Sequence, residues 1–479
     1  MDSTLAKDKP HSKWHPVYER YVLAEHYRFG KAHLAPYFFD ALTVYAQELA
    51  RLGIPHTAEA VTALKRLRSE VLPQFDGSAE DYFFAIYQAV QRAYGAEVAG
   101  AMRQGLSRND MDLTVFRAYA RDRLLEVLDS LRGLRQILLF LAERHLNTLM
   151  VAYTHYRPAQ PTTLGHYLMA VENLLARDHK RLFAAMKTTD TSPLGSSALA
   201  GNPFPVDRVR LAQDLGFGAV MENTYDGISA GDWALEITAG LASLATSLSR
   251  LSHDLLFWAE RGGFVVGDAL AQGSSIMPQK RNPVVLEHVR AYVSQVLSGP
   301  ITLQALNHNT PFGDLNDHST AVLEPLERLC HATGGALELM SVTLSESTFV
   351  PEALAAGLKD GSVMASELVD VLVAQGYLPL AEAQARVKAL MAALAETGRT
   401  LAQVEPPDFV LHLGFDAPAL FGALDPRHFL ERRKVLGGVA PEAQHAELEG
   451  AKKRLYNQRR AIVRKRRLVR ATRARLAKE

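Results

Sequence analysis

Leu131-Arg132-Gly133-Leu134-Arg135-Gln136-Ile137-Leu138-Leu139-Phe140-Leu141-Ala142-Glu143 is the stretch from which the fold can be read. Leu131, Leu134, Ile137, Leu138 and Leu141 recur at three- and four-residue spacing, the repeat that places side chains on one face of an α-helix. Arg132, Arg135 and Glu143 fall on the other side, which the pattern assigns to solvent. Similar apolar stripes run through 164–182, 239–258, 284–297 and 366–394, several of them long for a globular helix. Alternating strand patterns are scarce. Long helices with apolar faces must bury them against one another, so an all-α chain built around a central long-helix bundle is expected.

Glycine and proline cluster at 191–205, 262–283, 308–317 and 405–426, which read as loops between helices. A chain of 479 residues exceeds one ordinary core, and three mainly helical regions are expected: 1–110, 111–345, and 346–479 with a basic tail. Lys and Arg dominate that tail from 452 to 478, which reads as a solvated helical extension or an intersubunit arm. It holds few aromatics for base stacking, so nucleic acid is not the expected partner.

Nearly half the residues are hydrophobic, and 53 Lys and Arg balance 52 Asp and Glu, the profile of a globular protein and not of a disordered one. Cys330 is the single cysteine and cannot form an internal disulfide, so a reducing cytoplasm is the simplest compartment. The polar start of the chain, 1–16, lacks the apolar stretch of an export signal. No apolar run reaches the roughly 18 residues that a membrane-spanning helix needs.

Three motifs carry chemistry. Gly273-Ser274-Ser275-Ile276-Met277-Pro278-Gln279-Lys280-Arg281-Asn282-Pro283 resembles the signature loop of the aspartase/fumarase superfamily, in the form found in argininosuccinate lyases. Composition alone would allow a surface loop with a solvated lysine. The resemblance implies that Ser274 removes a proton from the carbon next to a carboxylate. That step builds a doubly negative aci-carboxylate, so fixed charge and hydrogen-bond donors are needed where it develops. Lys280 supplies charge, Asn282 an amide donor, and Ser275 a further hydroxyl. Small residues such as Gly273 allow the loop to close over substrate.

Thr154-His155, followed by Arg157, Ala159, Gln160 and Pro161, resembles the Thr-His…Gln-Pro segment of the same family. By that resemblance Thr154 holds a substrate carboxylate, with Gln160 in the same binding segment, and His155 sits beside the reacting centre. Imidazole exchanges protons near neutral pH. Glu287 matches a family glutamate that orients this histidine. Ser107-Arg108-Asn109-Asp110 resembles the loop that binds the succinyl carboxylates, for which arginine offers two parallel donors. A helix N-cap at Asn109 or Asp110 would explain the same residues. The segments 193–201 and 204–208, and later 433–438 with 440–442, extend the resemblance from about Leu34 to about Leu448.

The departures cluster on one half of the site. Tyr27 and Lys31 stand where argininosuccinate lyases place a Ser and an Asp that read the amino-acid end of the substrate. A cation there would repel an ammonium or guanidinium, so Lys31 is a candidate to meet an anionic group on the amine. Ser229-Ala230-Gly231-Asp232 lacks the family arginine, and Phe312-Gly313-Asp314-Leu315-Asn316 replaces a Tyr-Asn-Arg-Asp-Leu-Gln stretch. The expectation is a carbon–nitrogen lyase that releases fumarate by β-elimination from an N-succinyl or aspartate-derived amine, with an altered amine-side pocket. A genuine argininosuccinate lyase, and a non-catalytic paralogue that keeps the fold as lens crystallins of this family do, are the alternatives. The resemblance further implies a homotetramer with shared sites and chemistry without metal or cofactor.

Overall fold

The computed structural model describes residues 13–70, 72, 74–415 and 418–478; the first twelve residues of the polar N-terminal stretch lie outside them. Helical turns Pro16–Tyr18, Glu19–Leu23, Ala24–Phe29 and Gly30–Leu34 lead directly into α1, Ala35–Arg51. The second and fourth of these turns have π geometry, the wider winding that proteins retain mostly at functional sites. Helices α2 (Thr57–Leu67) and α3 (Tyr82–Tyr94) complete this end.

The centre is a ring of five helices: α4 (Arg108–Arg144), α5 (Leu164–Thr189), α6 (Asp232–Glu260), α7 (Val284–Leu297) and α8 (Leu323–Glu346). Each packs on the next, and α8 closes the ring on α4. The start of α4 is set locally, because Ser107 caps it and Asp110 completes a capping box.

Leu131, Leu134 and Leu138 are fully buried, as their spacing requires. Arg135, expected to face solvent, is equally buried. A last helix, α9 (Pro441–Lys478), lies along α4 and α5 and covers that side, so α4 has no free face there. Arg135 meets Glu172 of α5 through Nε at 2.9 Å and Nη2 at 2.6 Å, and Gln458 of α9 at 2.5 Å.

The basic tail is helical, as expected, with one face packed on its own chain and the other exposed. Leu448, Leu455, Ile462 and Leu476 join the main core. Some of its cations meet the body's acids: Arg466 with Asp129 at 2.5 Å, Arg473 with Asp122 at 2.9 Å, Arg475 with Asp214 at 2.8 Å, and Lys465 with Asp190.

A second, smaller core holds residues 368–423, around Leu372, Leu390 and Phe409. The stripe 366–394 breaks into helices Ala365–Ala374 and Leu380–Glu396. The stretch 405–426, expected as loop, contains helices Pro406–Leu413, Pro418–Gly422 and the start of Pro426–Arg432. Proline opens each, which its fixed φ and missing N–H favour at a first helical position. Strands are short and occur in four two-stranded ladders among the described residues.

Candidate active site

The signature loop is pinned at its base and open at its tip. Strands β3 (Gln272–Gly273) and β4 (Arg281–Asn282) pair antiparallel, and Arg281 donates to the Val266 carbonyl at 3.1 Å and meets Asp268. Between them Ser275 to Lys280 are exposed, and Ile276 keeps 83 % of its surface in solvent. The Ser274 hydroxyl oxygen accepts backbone N–H bonds from Met277 at 3.1 Å and Ile276 at 3.4 Å. Donors aimed at an oxygen favour its ionised form, the requirement for a serine that serves as a base. Asn282 lies half-buried at the loop's base, and Glu287 is exposed on the first turn of α7.

Thr154 and His155 sit at the tip of a hairpin. Strand β1 (Leu149–Thr154) pairs with β2 (Arg157–Thr163), so His155 and Tyr156 form a two-residue turn. Their φ angles are 51° and 61°, the pair of left-handed residues that a type I′ hairpin requires. Non-glycine residues held there carry backbone strain, which recurs at functional sites. Tyr156 is braced by His253, its hydroxyl 3.2 Å from Nε2. His155 and Glu287 have no hydrogen bond to each other within the chain. Gln160 lines a cavity of about 520 Å³ with Tyr167, Phe257, Arg433 and Val435, so the 433–438 segment lies beside this hairpin.

The third motif opens α4. The cap is Ser107, not Asn109 or Asp110: its Oγ accepts from the Asn109 N–H at 3.2 Å, and Asp110 Oδ1 accepts from the Ser107 N–H at 3.0 Å. Asp110 Oδ2 takes the N–H groups of Gly195 and Ser197, each at 2.9 Å, and Asn109 donates to the Ala198 carbonyl at 3.2 Å. These bonds tie the motif to the 193–201 segment. Burial pushes the Asp110 carboxyl up to about 7 against the pull of those N–H donors. Gly105 is required twice over, by a φ of 74° and because a Cβ would meet Asn202 Oδ1 at 2.6 Å.

Arg108 turns its donors to its own chain, with Nη1 on Asp81 at 2.6 Å and Nε and Nη2 on Asp112 at 3.1 and 2.7 Å. It lines a cavity of about 410 Å³ with His26, Phe29, His33, Asp112, Asn316 and Glu324. Lys31 donates to the Leu72 carbonyl at 2.9 Å, while its neighbours Gly30, Ala32 and His33 face that cavity. Where the family arginine is missing, a Cβ at Gly231 would meet Asn307 Oδ1 at 2.1 Å, so Asn307 fills that space.

One chain therefore joins Ser107, Arg108 and Asn109 to the 193–201 segment and to a cavity. It presents His155 and Ser274 on separate open tips. Sequence reasoning passed over Asp112, His26 and His33. Asp112 carried a readable signal, a carboxylate four residues after an arginine on one helix face.

A protein-family model described as "Lyase" matches residues 30–298. The chain is 33% identical over 447 residues to argininosuccinate lyase 2 of Agrobacterium fabrum, covering 89% of this chain and 88% of that one. It is 34% identical over 424 residues to the argininosuccinate lyase of Desulforudis audaxviator, covering 86% and 91%. Among solved structures, an EDDS lyase variant with bound fumarate superposes with a TM-score of 0.85 at 26% identity, covering 97% of this chain and 94% of that one. These likenesses extend over most of the chain. The chain belongs to this lyase family, as an argininosuccinate lyase-like carbon–nitrogen lyase of the aspartase/fumarase superfamily.

Proposed function

We propose that the protein eliminates an amine from an N-succinyl or aspartate-derived compound, releasing fumarate, and that its amine-side pocket has been rebuilt. The carrying observation is the Ser274 oxygen, held by two N–H donors in an open loop that also bears Lys280 and Asn282. In this reading Ser274 takes the Cβ proton, and Lys280 and Asn282 stabilise the aci-carboxylate that develops. Thr154, Gln160, Ser107, Asn109 and Ser275 hold the carboxylates, with Arg108 once substrate competes for its guanidinium. His155 stands beside the departing amine, oriented by Glu287. Closing the loop over bound substrate would also cover Ile276 and exclude water.

Separate tips in one chain favour a site completed by neighbouring copies, in keeping with a homotetramer. No helix among the described residues is long and apolar enough to cross a membrane, and a buried single thiol at Cys330 suits the cytoplasm. Aspartate-derived amines supplied one by one, with fumarate release as readout, test the reading; wild-type protein inert on all of them, and on argininosuccinate, would refute it. The second reading, a genuine argininosuccinate lyase, is favoured by identities of 33 and 34% to proteins of that name. Release of arginine together with fumarate from argininosuccinate decides between them.

A further inference from the structure

Asp110 is fully buried, yet its carboxylate is held by backbone alone. Oδ1 takes the Ser107 N–H at 3.0 Å, and Oδ2 takes the N–H groups of Gly195 and Ser197, each at 2.9 Å. Gly195 and Ser197 have φ angles of 87° and 54°, and this left-handed backbone aims both N–H groups at one oxygen. Ser197 is not glycine and is strained there, so its bond to Asp110 offsets part of that cost.

The segment held in this way returns to the Ser-Arg-Asn motif. Ala198, next to Ser197, presents its carbonyl to Asn109 Nδ2 at 3.2 Å, and Ser107 Oγ donates to Asn109 Oδ1 at 3.1 Å. A side-chain amide carries two N–H bonds. The Ala198 carbonyl takes one and fixes the rotation of the group, which leaves the second for a substrate carboxylate. Arg208 braces the same segment through the Leu194 carbonyl at 3.2 Å and Ser196 Oγ at 2.9 Å. Its other bonds go to the Met221 and Glu222 carbonyls, at 2.7 and 3.2 Å.

We propose that Asp110 is a positioning residue: by holding Gly195 and Ser197 it sets Ala198, and through Ala198 it orients the Asn109 amide for the carboxylate of a succinyl group. The proposal rests on the lyase reading, in which Ser107, Arg108 and Asn109 bind that group, and adds the residue that sets their geometry. Ionised, the carboxylate offers acceptors to all three N–H groups. Protonated, it turns an O–H toward donors, and at least one of the three bonds is lost. Burial pushes the carboxyl up to about 7, which brings that loss into the neutral range. Arg208, and Tyr45 of α1, sense the Asp110 charge, and neither changes its own charge near pH 7. On its own helix, Arg108 and Asp112 pair with each other.

Succinate binding to the full-length protein, measured by calorimetry, tests the proposal without turnover. Asp110→Asn keeps the side chain's size and is neutral at every pH. Wild type is expected to bind succinate about tenfold more tightly than Asp110→Asn at pH 8, and only about twofold more tightly at pH 6, where most of Asp110 is neutral. Taking the ratio removes what both proteins share, the titration of succinate and of Asp112 included. In an Asn109→Ala background, Asp110→Asn should change the affinity less than about twofold, because the residue it acts through is gone. A ratio that stays constant from pH 8 to pH 6, or a tenfold loss that persists in the Asn109→Ala background, overturns the proposal and leaves Asp110 a helix cap.

Hydrogen exchange at the Gly195 and Ser197 amides of the wild type needs no variant to fold. Their protection factors should fall between pH 8 and pH 6, and constant factors overturn the proposal. Falling protection with no succinate bound at any pH refutes the carboxylate-binding reading and leaves the tie through Asp110 standing; succinate binding with constant protection does the reverse.

Discussion

The hydroxyl oxygen of Ser274 lies 3.1 Å from the backbone nitrogen of Met277, within a loop whose base Arg281 anchors and whose tip touches little else. A serine so placed has donors for an alkoxide before any substrate arrives. Ser274→Ala should lower kcat by roughly 10²–10⁴-fold, the span attributed to a positioned proton-transfer group, with the helical circular dichroism unchanged. Ser275→Ala should cost far less, because its neighbour keeps the turn. Equal turnover in wild type and Ser274→Ala would remove the base from the mechanism.

His155 occupies a left-handed position that asparagine tolerates and β-branched residues do not. His155→Asn should therefore keep the melting temperature while reducing turnover by on the order of 10²-fold. His155→Val should lower both. An active His155→Asn protein would show that the turn matters for its shape alone.

Arg135 and Glu172 form an ion pair that neither side chain shares with solvent. Removing one partner strands the other, so Glu172→Leu alone should destabilise by about 3–5 kcal/mol. Arg135→Met with Glu172→Leu should recover most of that loss, since an apolar pair of similar volume avoids desolvation. Midpoints of urea unfolding for the single and double variants settle the point. A double variant as unstable as the single would show that Gln458, bonded to Arg135, and Arg454, 3.9 Å from Glu172, depend on the charge.

His179 is buried against Phe183 with neither ring nitrogen bonded, and burial lowers it from 6.5 to about 4. The unfolded chain thus binds a proton more readily between those pH values. His179 should contribute nothing unfavourable above pH 6.5 and a growing loss of stability as pH falls toward 4, up to about 3 kcal/mol. His179→Leu should flatten the decline in unfolding midpoint between pH 7 and pH 4. A parallel decline in both proteins would assign the acid sensitivity to other groups.

The helical class and the motifs that resemble the family's were open to reading from the chain alone, because both are local. The spacing of Leu131, Leu134 and Leu138 fixes a helix face through covalent geometry, and the run from Gly273 to Pro283 is contiguous. Ser107 and Asp110 cap a helix from four consecutive positions. What covers each face is not local. Arg135 reads as a surface cation until α9, more than three hundred residues later, closes over it beside Glu172. The same packing turns one face of the basic tail inward, since Asp122, Asp129, Asp190 and Asp214 are its partners only in space. Short-range periodicity determined which elements form, and burial, a property of the whole chain, decided which charges they hold.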